Sequence, residues 1–258
     1  MNGITVPGLE DYLARRDAAR PRAVARTESW YRIENADGGD TATITIYDEI
    51  GWFGTTAREF IDELAAIDAA SLDVHLNTPG GEVWDGVAIY NALMQHPATV
   101  TTTVDSLAAS IGSLIAQAGD NRVMAKASQM MVHDPKAGAF GGAAELRKGA
   151  EMLDQVTKMI ATVYADRGGG TVAFWRAAMT AESWYSAEEA KRAGLADAVY
   201  GDAPAEAVAA SWDLSTFRHT DRRKASAPPM PAARAVARAG DFRWDPEVFR
   251  TALKEAFK

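Results

Sequence analysis

The stretch Asp105-Ser106-Leu107-Ala108-Ala109-Ser110-Ile111-Gly112-Ser113 follows a run of β-branched residues and opens a segment of small side chains. A serine at such a strand-to-helix turn lies near the positive end of a helix dipole. Small residues at 108, 109 and 112 leave room for a substrate backbone to approach its hydroxyl. A hydroxyl attacks a carbonyl only when a base takes its proton, and an imidazole is the usual base. The chain has four histidines. His75 falls inside an apolar strand, His96 closes a helix and His219 lies in the C-terminal tail. His133 ends a strand expected over Gln129–His133, directly before Asp134-Pro135, and is the best placed of the four. Parallel strands leaving one sheet edge bring two such positions together. The plainer readings fit the local pattern too: Ser110 as the cap of a tightly packed helix, His133 as a hydrogen-bonded strand end.

A second feature is the turn Asn77-Thr78-Pro79-Gly80-Gly81. Backbone N–H groups at two glycines are unobstructed by Cβ, and donors of that kind can hold a developing oxyanion. An ordinary strand-to-helix turn has the same look.

Positioning these residues takes an alternation of strands and helices. Strand patterns cover Thr41–Tyr47, Leu72–Leu76, Ala98–Val104, Asn121–Met124 and Gln129–His133. Helical spacing covers Ala57–Ala69, Val83–His96, Ala109–Gly119 and a long stretch from the glycines at 138–142 to Asp166. Leu146, Leu153, Val156, Ile160 and Val163 recur along the last of these. Ser186-Ala187-Glu188-Glu189 is a capping box for one more helix, which Gly194 ends. The order predicts an α/β domain with a largely parallel sheet over residues 28–202. Residues 1–27 read as an Arg/Ala-rich, flexible arm, and 203–240 as a Pro/Ala/Arg-rich linker. An amphipathic helix is expected over 241–258, with Asp245 as N-cap and Pro246 at its first position.

Composition narrows the chemistry. The 258 residues include no cysteine, which excludes disulfides, thiol nucleophiles and thiolate metal sites. No metal-ligand cluster, phosphate-binding loop or cofactor motif is present, so the expectation is no cofactor and no metal. No apolar run is long enough to span a bilayer, and the N-terminus lacks the apolar core of a secretory signal. The formal charge is −8, and the segment from Arg218 onward holds ten Lys/Arg against five Asp/Glu. The remainder therefore carries about −13 and would repel phosphates, which argues against nucleic-acid binding.

Taken in order, NTPGGEVWDGVAIYNAL, LAASIGS, MMVHDP and SWYSAEEAKRAGLAD resemble the signature of the ClpP family of serine peptidases. More narrowly they resemble the phage-encoded ClpP-like head-maturation proteases, and the similarity runs from about Ile44 to Val199. The resemblance implies a spiral of parallel β-sheet and helices shared with crotonases, with a long protruding handle helix. It implies Ser110 as nucleophile, His133 as general base, and the N–H groups of Gly81 and Ile111 as oxyanion donors. The third triad member, an aspartate in ClpP, falls on Glu182, with Asp134 and Asp166 as fallbacks. Ser106 stands where related sequences usually place glycine. Also implied are protein or peptide substrates and homo-oligomeric rings, sevenfold and stacked, joined through Ala143–Asp166 and the glycines at 138, 141 and 142. In a phage setting the substrates would be scaffold or capsid precursors, contacted through the C-terminal helix. The location would be the host cytoplasm or the assembling head. Two other readings stand beside this one: a shell component that has lost proteolysis, and a crotonase-like acyl-CoA enzyme.

Overall fold

Thr41–Ile46 alternates β-branched with other residues, and as strand β2 it buries Ala42, Ile44 and Ile46 on one face. The computed structural model describes residues 29–35, 40–51, 56–201 and 217. The arm expected over 1–27 and the helix expected over 241–258 lie outside the described residues, as does the linker over 203–240 apart from Phe217.

Strand β1 (Tyr31–Asn35) pairs antiparallel with β2. Parallel pairing then runs through β3 (Ser71–Thr78), β4 (Thr99–Ala109) and β5 (Asn121–Ala125) to β8 (Ala198–Tyr200). Strand β4 forks. Its first half, Thr101–Val104, pairs with β5, while Leu107–Ala109 pair with β6 (Gln129–Val132). In turn β6 pairs antiparallel with β7 (Ser183–Ser186). At the fork the register against β3 slips, from Leu76↔Val104 to Thr78↔Ala108. The extra residues form a bulge that increases local twist.

Helices cover the sheet as expected of parallel strands. They are α1 (Ala57–Ala65), α2 (Val83–Gln95), α3 (Ile111–Ile115, extended by a 3₁₀ turn at Ala116–Ala118), α4 (Ala143–Gly168), α5 (Val172–Thr180) and α6 (Ala187–Arg192). The 26 residues of α4 make a rod of about 39 Å. Its inner turns bury Val156, Ile160, Ala161 and Tyr164, whereas Leu146 on the outer turns is 47% exposed. The expected apolar stripe is therefore covered only along its inner half. The capping box before α6 forms: Ser186 Oγ accepts from the Glu189 N–H, and the Ser186 N–H donates to Glu189 Oε2.

Two buried charges knit the sheet to its surroundings. Arg122 on β5 pairs with Asp197 at 2.5 Å and donates to Gln117 and to the carbonyls of Arg167 and Gly194. That single side chain joins the 3₁₀ turn, the end of α4 and the turn after α6. Asp105, fully buried in the bulge, accepts from Tyr47 Oη at 2.6 Å and lies 2.8 Å from His75 Nδ1. This hydrogen bond raises the pKa of His75 against the lowering effect of burial, and the charges of Asp105 and Asp73 add to it.

Two differences from the sequence expectation share a cause. Strand β4 runs on through Ala109 because β6 pairs with it, although Leu107-Ala108-Ala109 favour helix by propensity. The helix expected over Ala109–Gly119 accordingly starts at Ile111. Strands β1, β7 and β8 and helix α5 were not foreseen; the strands are 3–5 residues long, too short for a period to register.

Helix α2 touches α3 closely at Gly86, where an added Cβ would stand 2.1 Å from Ile111 Cγ1. Gly86→Ala should cost about 1–3 kcal/mol through overpacking. That outweighs the gain of up to about 1 kcal/mol from helix propensity. Thermal unfolding checks it; an unchanged or higher Tm would mean that Ile111 yields freely.

Candidate active site

Ser110 joins the end of β4 to the start of α3 with φ 55° and ψ −127°. A non-glycine residue held there stores about 1–3 kcal/mol and persists only where its surroundings fix it. They do so from several sides. The Ser110 N–H donates to the Met131 carbonyl at 3.0 Å, continuing the pairing of β4 with β6. Its carbonyl accepts from the Ser113 N–H at 3.0 Å and from Ser113 Oγ at 2.5 Å. With its proton so committed, Ser113 Oγ accepts from Tyr164 Oη on α4, 2.7 Å away. Burial raises the pKa of the Tyr164 hydroxyl, keeping it protonated.

His133 follows β6 directly, and its Nε2 lies 2.7 Å from Ser110 Oγ. The β4–β6 register, Ala109↔Met131, brings the two residues to the same sheet edge. Burial is the main cause that lowers the His133 pKa to about 4. The charge of Lys136 lowers it further, and that of Glu182 opposes both. Nδ1 of His133 is buried and makes no hydrogen bond among the described residues.

Glu182 immediately precedes β7, whose Ser183 pairs with Val132, so it extends that antiparallel pair alongside His133. It is 2% exposed, has φ 53° and donates its N–H to the Met179 carbonyl. Its carboxylate acts on the imidazole through charge and does not hydrogen-bond Nδ1. The fallbacks face elsewhere. Asp134 Oδ2 accepts from Thr180 Oγ1 at 2.9 Å, and Asp166 on α4 acts on Tyr90.

The glycine turn lies against the serine. A Cβ on Gly80 would stand 2.7 Å from Ser110 Cβ and 3.2 Å from the Ile111 nitrogen. Gly81 bridges Ile50 in parallel fashion: Ile50 N–H donates to the Gly80 carbonyl and Glu82 N–H to the Ile50 carbonyl. In such a bridge the N–H of Gly81 itself points away from Ile50. Ile111 is the first residue of α3, so its N–H is one of the donors a helix leaves unpaired. Gly81 has φ 149°, and a Cβ there would fall 2.1 Å from the Ile50 carbonyl oxygen.

Sequence reasoning missed Ser113, Tyr164 and Lys136. A serine three residues after a turn serine is a known backbone-bonding signal and could have pointed to Ser113. Tyr164 gave none, because its contact spans 51 residues of sequence.

Two outcomes are expected. Ser113→Ala leaves the Tyr164 hydroxyl buried without its partner and should cost about 1–3 kcal/mol by denaturant melts. The cost should shrink in a Tyr164→Phe background. Only neutral imidazole can take the serine proton, and burial keeps His133 neutral below the ordinary value of about 6.5. Fluorophosphonate uptake by Ser110 should therefore hold through neutral pH and fall only as pH drops through about 4; a midpoint near the ordinary histidine value would contradict this.

The sequence pattern of the family described as Clp protease matches residues 26–203. The chain is 34% identical over 133 residues to an ATP-dependent Clp protease proteolytic subunit of Chlorella vulgaris, covering 51% of this chain and 66% of that one. It is 32% identical over 130 residues to proteolytic subunit 2 of Corynebacterium efficiens, covering 50% of this chain and 65% of the relative. Against the subunit of Bacteroides fragilis identity is 29% over 171 residues, covering 62% and 83%. The chain thus spans about two thirds of the length of the first two of these relatives. With the family pattern extending across the whole α/β body, this chain belongs to the Clp protease family.

Proposed function

We propose that the protein is a serine endopeptidase of ClpP type. The observation that carries this is the 2.7 Å approach of His133 Nε2 to Ser110 Oγ, on a strained strand-to-helix turn. Ser110 attacks the scissile carbonyl while His133 takes its proton and later returns it to the leaving amine. The oxyanion is held by the N–H groups of Gly81 and Ile111. Glu182 is the third member: as the imidazolium forms, its carboxylate moves onto Nδ1 and stabilises the charge.

In this reading the substrates are polypeptides, and subunits assemble into rings that stack through the outer turns of α4. Exposed Phe140 and Leu146 support such a contact, since large apolar groups there lack cover in one subunit. The finer reading is a head-maturation protease cleaving scaffold or capsid precursors in the host cytoplasm or the assembling head. It rests on the ordered motifs, with the C-terminal region as the contact to capsid components.

The unbonded Nδ1 of His133 favours one second reading, a shell subunit that keeps the fold without proteolysis. A fluorophosphonate probe separates the two. The peptidase gives a single adduct on Ser110 by intact mass and peptide mapping, absent in Ser110→Ala and His133→Ala. No adduct on an assembled, folded sample supports the shell subunit. Within the peptidase reading, Glu182→Gln should slow labelling by up to about 10⁴-fold, the loss seen when the acid that orients a catalytic histidine becomes an amide. Glu182→Asp should retain much of the rate, and equal rates for all three proteins would remove Glu182 from the mechanism.

A further inference from the structure

Four buried apolar side chains stand apart from the main core: Leu107, Ala109, Met131 and Trp184. The strand register groups them, since Ala109 pairs with Met131 and Met131 with Trp184. Alternate residues of a strand share a face, so Met131 lies on the side of β6 that His133 continues, and Trp184 on the side of β7 that Glu182 continues. The strip thus begins at the candidate active site and runs away from it along three strands.

Its members are 2% exposed or less, and among the described residues the partly buried apolar side chain packed against them is Phe217, from the C-terminal region. The Phe217 ring stands edge-on to the His133 ring at 5.4 Å and 82°, and to Trp184 at 6.1 Å and 81°. The Lys136 ammonium lies 6.0 Å from its centroid. These are favourable aromatic and cation–π geometries. Phe217 itself is only partly buried.

We propose that this strip is a subsite for one large apolar side chain of a polypeptide, and that Phe217 fills it in the free subunit, so Phe217 competes with substrate. The inference rests on the peptidase reading above. A chain whose carbonyl reaches Ser110 must lay its neighbouring side chains on the surface beside His133. That surface offers no formal charge among its four residues, so the side chain it accepts is apolar, and the Trp184 ring, with the His133 ring beside it, favours an aromatic one. A substrate in the strip and Phe217 in the strip exclude each other. Because Phe217 covers the His133 ring, its departure also hydrates the imidazole.

The test uses the full chain with Phe217→Ala and Phe217→Leu, read in two ways. Ser110 labelling by a fluorophosphonate should be several-fold faster in Phe217→Ala and close to wild type in Phe217→Leu. A synthetic peptide of residues 211–222 should slow the Phe217→Ala variant again. By NMR titration, the His133 pKa should rise toward the ordinary histidine value in Phe217→Ala, a readout that needs no catalysis. Labelling at or below the wild-type rate, with an unmoved His133 pKa, would overturn the proposal. If neither protein labels, the peptidase reading fails, and the titration alone decides whether Phe217 occupies the strip.

Discussion

The backbone of Ser110 must hold a positive φ that an L-residue does not adopt unaided, and much of the surrounding structure serves to keep it there. Strand β6 fixes its N–H, Ser113 fixes its carbonyl from two atoms, and Tyr164 fixes Ser113. The glycine turn fits against it because Gly80 has no Cβ to meet the serine. Released from these contacts the turn would relax, and the hydroxyl would leave the imidazole. Local strain of this kind at a functional position is stable only when tertiary contacts outnumber the local preference.

The fork in β4 is where the architecture creates that turn. A strand shared between two partners has to twist at the changeover, and the bulge places Asp105 there. A buried carboxylate is costly unless it is hydrogen-bonded. Tyr47 and His75 supply those bonds from β2's end and β3, tying the changeover to the strands on its other side. The imidazoles of the two sheet positions are thereby set in opposite senses. His75 is held toward its charged form by Asp105, while burial holds His133 toward neutrality.

How much of this was legible in the sequence follows from the range of the interactions. Alternation of strands and helices, the capping box at Ser186 and the long helix are local patterns, and they appear where expected within a few residues. The approach of Ser110 to His133 was legible because parallel strands order their ends on one edge. What the sequence hid depends on distant partners. The extension of β4 is decided by β6, the hold on Ser113 by a tyrosine 51 residues away, and the cover over His133 by Phe217. Short strands such as β8, with three residues, carry too little period to register. Glu182 was readable as a position through its motif, but the absence of its bond to Nδ1 is a matter of side-chain geometry.

Helix α4 has its inner turns packed in the core and its outer turns in solvent. Tyr164 sits near the packed end and reaches the serine's carbonyl through Ser113 in two hydrogen bonds. A rod of about 39 Å supported at one end is a lever. A tilt imposed on its free end would reach the fulcrum reduced in amplitude, where Tyr164 and Ser113 tie the rod to a single peptide unit, that of Ser110.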